Sequence, residues 1–194
     1  MLRWGRVNCD WAVVMKVLRA AVLVLGVAGP VFAGDCDTLC DPEFYKTATA
    51  DGLHQVIEAG ADVNARDDVG RVALHWSAGA SPAVVSALLQ AGADVHARDM
   101  YDRTPLHFVS AGGSAENITL LLQAGADVNA RTANDWTPLH GVAKFGAPEN
   151  VALLLAAGAD GSAQTQMGET AFVLGQTNAR MAGTEALEVL RAVQ

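Results

Sequence analysis

One phrase, written four times, limits what this chain can fold into. AGADVNAR begins at Ala59, AGADVHAR at Ala91, AGADVNAR again at Ala124 and AGADGSAQ at Ala157, so the phrase's glycine falls at 60, 92, 125 and 158. The intervals are 32, 33 and 33 residues, the period of a solenoid built from copies of one small unit. A second phrase keeps the same beat: Val72-Ala-Leu-His75, Thr104-Pro-Leu-His107, Thr137-Pro-Leu-His140 and the degraded Thr170-Ala-Phe-Val173.

Each phrase has a physical job. Thr104-Pro105 and Thr137-Pro138 place an N-cap hydroxyl before a proline at the first helical position, where the missing N–H costs nothing. Gly112-Gly113 and Gly146 end that helix, and Ser114 to Glu116 or Pro148-Glu149 opens a second. The second helix repeats an apolar face: Val84, Val85, Leu88 and Leu89; Ile118, Leu120, Leu121 and Leu122; Val151, Leu153, Leu154 and Leu155. It closes where Gly92, Gly125 or Gly158 supplies a left-handed residue. One pair of short helices cannot hide its apolar side, whereas stacked copies hide each other's.

In motif order and period, Thr-Pro-Leu-His, the Leu-Leu pair and Gly-Ala-Asp-Val-Asn-Ala resemble the ankyrin repeat, from about Pro42 to the C-terminus. The resemblance implies an all-α solenoid of helix-turn-helix units joined by β-hairpin-like loops. Capping repeats are expected at 45–68 and 168–194, with full repeats at 69–101, 102–134 and 135–167. Ala186, Leu187, Val189 and Leu190 are expected on the buried side of the closing repeat. Val72-Ala73 replaces Thr-Pro in the first full copy, so its first helix should fray, and its short interval points to a trimmed turn around Ser81-Pro82. Asp102 and Asp135 stand at the hairpin position filled elsewhere by Gly70 and Gly168. Gly161-Ser162 replaces Val-Asn where the stack is expected to meet little.

Residues 1–33 read differently. Lys16 and Arg19 precede the apolar run Ala20 to Ala28, then come Gly29-Pro30 and Val31-Phe32-Ala33, the layout of a cleaved signal peptide. Translation from Met15 would give a compact leader; an uncleaved anchor from Val17 to Ala33 would be short and interrupted, and Asp35 fits poorly before a lipid-modified Cys36. Cleavage leaves a segment at 34–44 in which Cys36 and Cys40 are expected to form a disulfide. It also leaves 9 of the 13 basic and 20 of the 21 acidic side chains, a net charge of −11, which disfavours nucleic-acid binding. The expectation is a periplasmic monomer with no membrane attachment after cleavage.

No nucleophile elbow, His-Glu-x-x-His pair, phosphate loop or paired-cysteine zinc pattern is present, and no cofactor or metal site is expected. His75, His107 and His140 recur at one repeat position, too far apart for a single ion. The family resemblance implies that they hydrogen-bond the backbone and tie repeats together, with His96 serving the turn where other copies have Asn64 and Asn129. Asn117-Ile-Thr119 matches a glycosylation acceptor but lies within an expected helix. Asp62, Asp94, Asp127 and Asp160 are copied along a line, whereas catalysis needs unlike groups converging on one point.

Binding is expected of the residues that vary between copies, because the resemblance implies that hairpin tips and first helices line a concave face. The candidates are Val69, Arg71, Met100, Tyr101, Arg103, Trp136, Lys144 and Phe145, with the arginines and acid-rich tips steering a partly basic partner. Trp76 and Phe108 are expected in the core. The function read from the sequence is a non-enzymatic protein-binding module for a partner of unknown identity. A structural or protective accessory of an exported enzyme is the alternative, and an enzyme with a site near 35–46 ranks last.

Overall fold

The computed structural model describes residues 38–194. The expected leader at 1–33 and Cys36, hence its pairing with Cys40, lie outside the described residues.

Helices come in pairs. They are α1 (Pro42–Thr47) with α2 (Ala50–Glu58), α3 (Ala73–Trp76) with α4 (Pro82–Gln90), and α5 (Pro105–Gly112) with α6 (Ala115–Gln123). Next are α7 (Pro138–Phe145) with α8 (Glu149–Ala156), and α9 (Ala171–Gly175) with α10 (Glu185–Ala192). First helices pack on first helices, α3 on α5, α5 on α7 and α7 on α9; second helices form a parallel layer, α2, α4, α6, α8 and α10. The described residues hold no β-strand, and the connecting loops carry one isolated antiparallel bridge, Gln164 with Thr170.

Local chemistry accounts for the ends of these helices. Thr104 and Thr137 adopt extended N-cap geometry with Pro105 and Pro138 at the first helical position. The Ser114 hydroxyl accepts a hydrogen bond from the Asn117 N–H and starts α6. Gly60, Gly92, Gly125 and Gly158 follow the second helices with φ between 83° and 101°, the left-handed cap expected of them. In the copy that lacks Thr-Pro, α3 lasts four residues and passes into a 3-10 turn at Ser77–Gly79.

The core runs as a continuous seam between the layers. Leu74, Leu106 and Leu139 on the first helices and Val84, Leu88, Ile118, Leu121, Val151 and Leu154 on the second are fully buried. Burial of each large side chain contributes roughly 2 kcal/mol, realised only when the neighbouring copy covers it. At one end Tyr45 is buried and its hydroxyl donates to the Leu39 carbonyl at 2.8 Å. At the other, Leu190 and Met181 are buried, while Ala186, Leu187 and Val189 are half-covered. Gly161 is buried rather than facing little: a Cβ there would come within 2.7 Å of the Val193 Cβ, so the glycine makes room for the C-terminal residues.

Candidate functional site: a neutral aromatic groove

The hairpin tips are held by their own side chains. Asp67 Oδ1 accepts from the N–H groups of Val69 and Arg71, and Asp99 Oδ1 accepts from those of Tyr101 and Arg103, all at 2.9 to 3.0 Å. Each carboxylate's second oxygen takes the arginine four residues on, with Arg71 Nε at 2.9 Å from Asp67 and Arg103 Nη2 at 2.6 Å from Asp99. Burial pushes the Asp99 carboxyl up, but hydrogen bonds from Arg103 and Tyr101 outweigh that and hold it below the usual range. In the next two hairpins Thr132 and Thr165 replace the aspartate. The Thr132 hydroxyl accepts from Asn134 and Trp136, and the residue four on becomes Trp136 and then Glu169. Asp102 and Asp135 take the left-handed turn position with φ of 59° and 60°.

Successive copies are tied by three ladders. In the first, the His75, His107 and His140 Nδ1 atoms accept the N–H of Val72, Thr104 and Thr137, all at 3.1 Å. Because Nδ1 accepts, the proton sits on Nε2, which donates to the carbonyls of Arg103, Trp136 and Glu169 in the next copy at 3.0 to 3.2 Å. Both ring nitrogens are therefore engaged, and neither offers a metal a lone pair. Burial lowers all three imidazoles below their ordinary range, His107 to about 4, against the opposing pull of the backbone carbonyls.

The second ladder was not anticipated from sequence. Arg66 bridges the carbonyls of Gly70 and Arg98, and Arg98 those of Asp102 and Arg131. The third is a buried row of asparagines at the starts of the second helices and in the last copy: Asn117 donates to the Ala80 carbonyl, Asn150 to Gly113, and Asn178 to Ala143 and Gly146. A shared spacing of 33 between Asn117 and Asn150 was the signal available in the sequence. Asn117 is fully buried, so it is no glycosylation acceptor. His96 departs from expectation too. Asn64 and Asn129 each bond a glycine carbonyl and an aspartate N–H of the next turn, whereas the His96 side chain is exposed and makes no hydrogen bond among the described residues.

Between α5, α7 and their hairpins lies a groove of about 550 Å³. Tyr101, Arg103, Trp136 and Phe145, four of the eight candidates, line it together with Phe108 and Asn134. Tyr101 and Phe145 are 51% and 60% exposed, and the Trp136 and Phe145 rings stack at 6.3 Å with 19° between planes. Phe108 is a groove wall rather than core: it is half-buried, edge-on to His75 and covered by the Arg103 guanidinium at 4.6 Å. Trp76 is likewise half-buried, beneath Arg71 at 3.9 Å. The other candidates lie elsewhere. Lys144 donates to the Thr177 hydroxyl at 2.8 Å, reaching the closing copy, and Val69 gives its carbonyl to the Met100 N–H at 2.9 Å. The Met100 side chain stands exposed at its tip.

Among the described residues no helix is long and apolar enough to cross a membrane. Paired helices stacked through like surfaces, with hairpins projecting to one side and a groove at their base, define a helical repeat solenoid. A family model described as ankyrin repeats in three copies matches residues 46–132 and 79–165, more than half of the chain. The chain belongs to the ankyrin-repeat family, whose repeats are protein–protein interaction modules. A search of curated proteins found no match.

Proposed function

We propose that the protein is an exported, non-catalytic binding module that captures a protein partner in the groove between α5 and α7. The observation that carries this reading is the convergence there of Tyr101, Phe108, Trp136 and Phe145 over small floor residues, in a concavity of about 550 Å³. Aromatic side chains held ready by a rigid stack bind with little ordering cost and supply most of an interface's energy. Export to the periplasm rests on the leader-like residues 1–33, and the Cys36–Cys40 bond, pinning the first turn, belongs to the same reading. Mass measurement of the exported chain tests both: it should start at Gly34 and weigh two hydrogens less than the reduced form.

The binding claim has its own test. Tyr101→Ala with Trp136→Ala should leave the melting temperature within a few degrees and weaken capture of the partner from the exported fraction by about tenfold or more. Equal capture by the double variant would defeat the assignment of the site.

A further inference from the structure

The two hairpins bordering the groove carry charges that cancel. Arg98 and Arg103 stand against Asp99 and Asp102 on one, and Arg131 against Asp135 on the other, although the chain's net charge is −8. The cancellation is local: Arg103 lies 2.6 Å from Asp99 and Arg131 3.3 Å from Asp135. Arg98 spends its guanidinium on two backbone carbonyls. His107, which also lines the groove, uses both ring nitrogens within the fold. The arginines expected to steer a partner are thus already paired, and the groove offers a charged group nothing to neutralise. Desolvating an unpaired charge there would be costly, whereas an uncharged apolar group loses only water.

Two features narrow the occupant further. Arg103 lies over one face of Tyr101 and of Phe108 at 4.8 and 4.6 Å, so among the described residues the lining rings that carry no cation are those of the stacked pair Trp136 and Phe145. The Asn134 side-chain amide lines the groove and makes no hydrogen bond among the described residues. It presents one donor group and one acceptor, the complement of a peptide bond. Beneath them the floor is low: a Cβ on Gly112 would meet nothing within 4 Å.

We infer, resting on the groove-binding reading above, that the occupant is a peptide segment of a partner protein. It seats one uncharged aromatic or aliphatic side chain against Trp136 and Phe145 and pairs a backbone amide with Asn134. Its binding is nearly independent of salt despite the acidic chain, because no ion pair forms at the anchor.

A random dodecapeptide display library selected against the purified protein tests this. Gly112→Leu, which fills the floor without a backbone clash, and Phe145→Ala, at an exposed ring, serve as counter-selections, with melting temperatures checking that both fold. The expected peptides share an uncharged aromatic or aliphatic anchor, and lose about tenfold or more in affinity on either variant. Asn134→Ala should cost them about fivefold, and raising salt from about 50 to 500 mM less than about twofold. Groove-dependent peptides anchored by Lys, Arg, Asp or Glu, or strongly weakened by salt, would overturn the inference while leaving the groove as the binding face. Peptides indifferent to both variants, or none at all, would remove the groove reading as well. A concentration-dependent dimer in sedimentation, abolished by Gly112→Leu, would assign the groove to a second copy and overturn the inference.

Discussion

Three buried imidazoles give the stack a pH dependence whose sign follows from their hydrogen bonds. His75, His107 and His140 each accept an N–H at Nδ1, so a second ring proton has no place without breaking the N-cap contact. An unfolded imidazole titrates near 6.5, while burial lowers folded His107 to about 4. Above pH 6.5 neither state binds this proton and the contribution is whole. As pH falls below 6.5 the unfolded chain takes up a proton that the folded chain refuses, and stability declines until about pH 4. For His107 alone the loss across that window is roughly 3 kcal/mol. The depressed Asp99 carboxyl acts lower, its contribution being lost as pH falls through its own folded pKa, beneath the ordinary carboxylate range. His107→Gln keeps an acceptor at the same helical position but cannot titrate. Its urea unfolding free energy should therefore fall less steeply between pH 7 and pH 4.5 than that of the wild type. Parallel slopes for the two proteins would mean that a neutral buried ring is not the source.

At the level of the helix, the copy at 69–101 is the informative exception. Its first helix ends after four residues, where α5 and α7 run for eight, and the difference at its start is Val72-Ala73 in place of Thr-Pro. Val72 is buried like Thr104 and Thr137, so the site has room for threonine, and Ala73 occupies the first helical position. Val72→Thr with Ala73→Pro should stabilise the protein by about 1 kcal/mol and slow amide exchange at Ser77 and Ala78. An unchanged exchange rate there, whatever the global stability, would place the cause in the trimmed turn before α4 instead. The period, the caps and the frayed helix were legible because each rests on a short-range rule: an N-cap, a proline, a left-handed glycine. The groove was half legible. Tyr101, Arg103, Trp136 and Phe145 vary between copies and so stood out, but the turning of Phe108 into a wall depends on how hairpin and helix meet in space. The pairing of Arg71 and Arg103 with Asp67 and Asp99, though local, depends on the hairpin turn that brings residues four apart together. Lys144 is a binding candidate in the sequence because it varies between copies, and its tie to Thr177 was not legible because that acceptor lies 33 residues away in a copy whose sequence has drifted from the repeat.

Over the whole molecule, stability is carried from copy to copy through a small set of recurring ties, and one of them is missing in the middle. Asn64 joins its turn to the next through the Gly92 carbonyl at 2.9 Å and the Asp94 N–H at 2.7 Å, and Asn129 does the same with Gly158 and Asp160. Between these two clamps stands His96, whose imidazole makes neither bond. The other ties across this region are present: His75 to Arg103, Arg98 to Arg131, and Asn117 to Ala80. The weakness therefore belongs to the loop edge of the stack and leaves its core untouched. In a linear array each copy is held only by its neighbours, so a weakened junction lets the two flanks open separately. His96→Asn should supply the two absent hydrogen bonds, to the Gly125 carbonyl and from the Asp127 N–H, and at this exposed edge stabilise the protein by roughly 1 kcal/mol. The gain should appear as a higher urea midpoint and as slowed exchange of the Asp127 amide. Slowing shared equally by amides of the first and last copies would show instead that the chain unfolds as a single unit and that no junction is weaker than the rest.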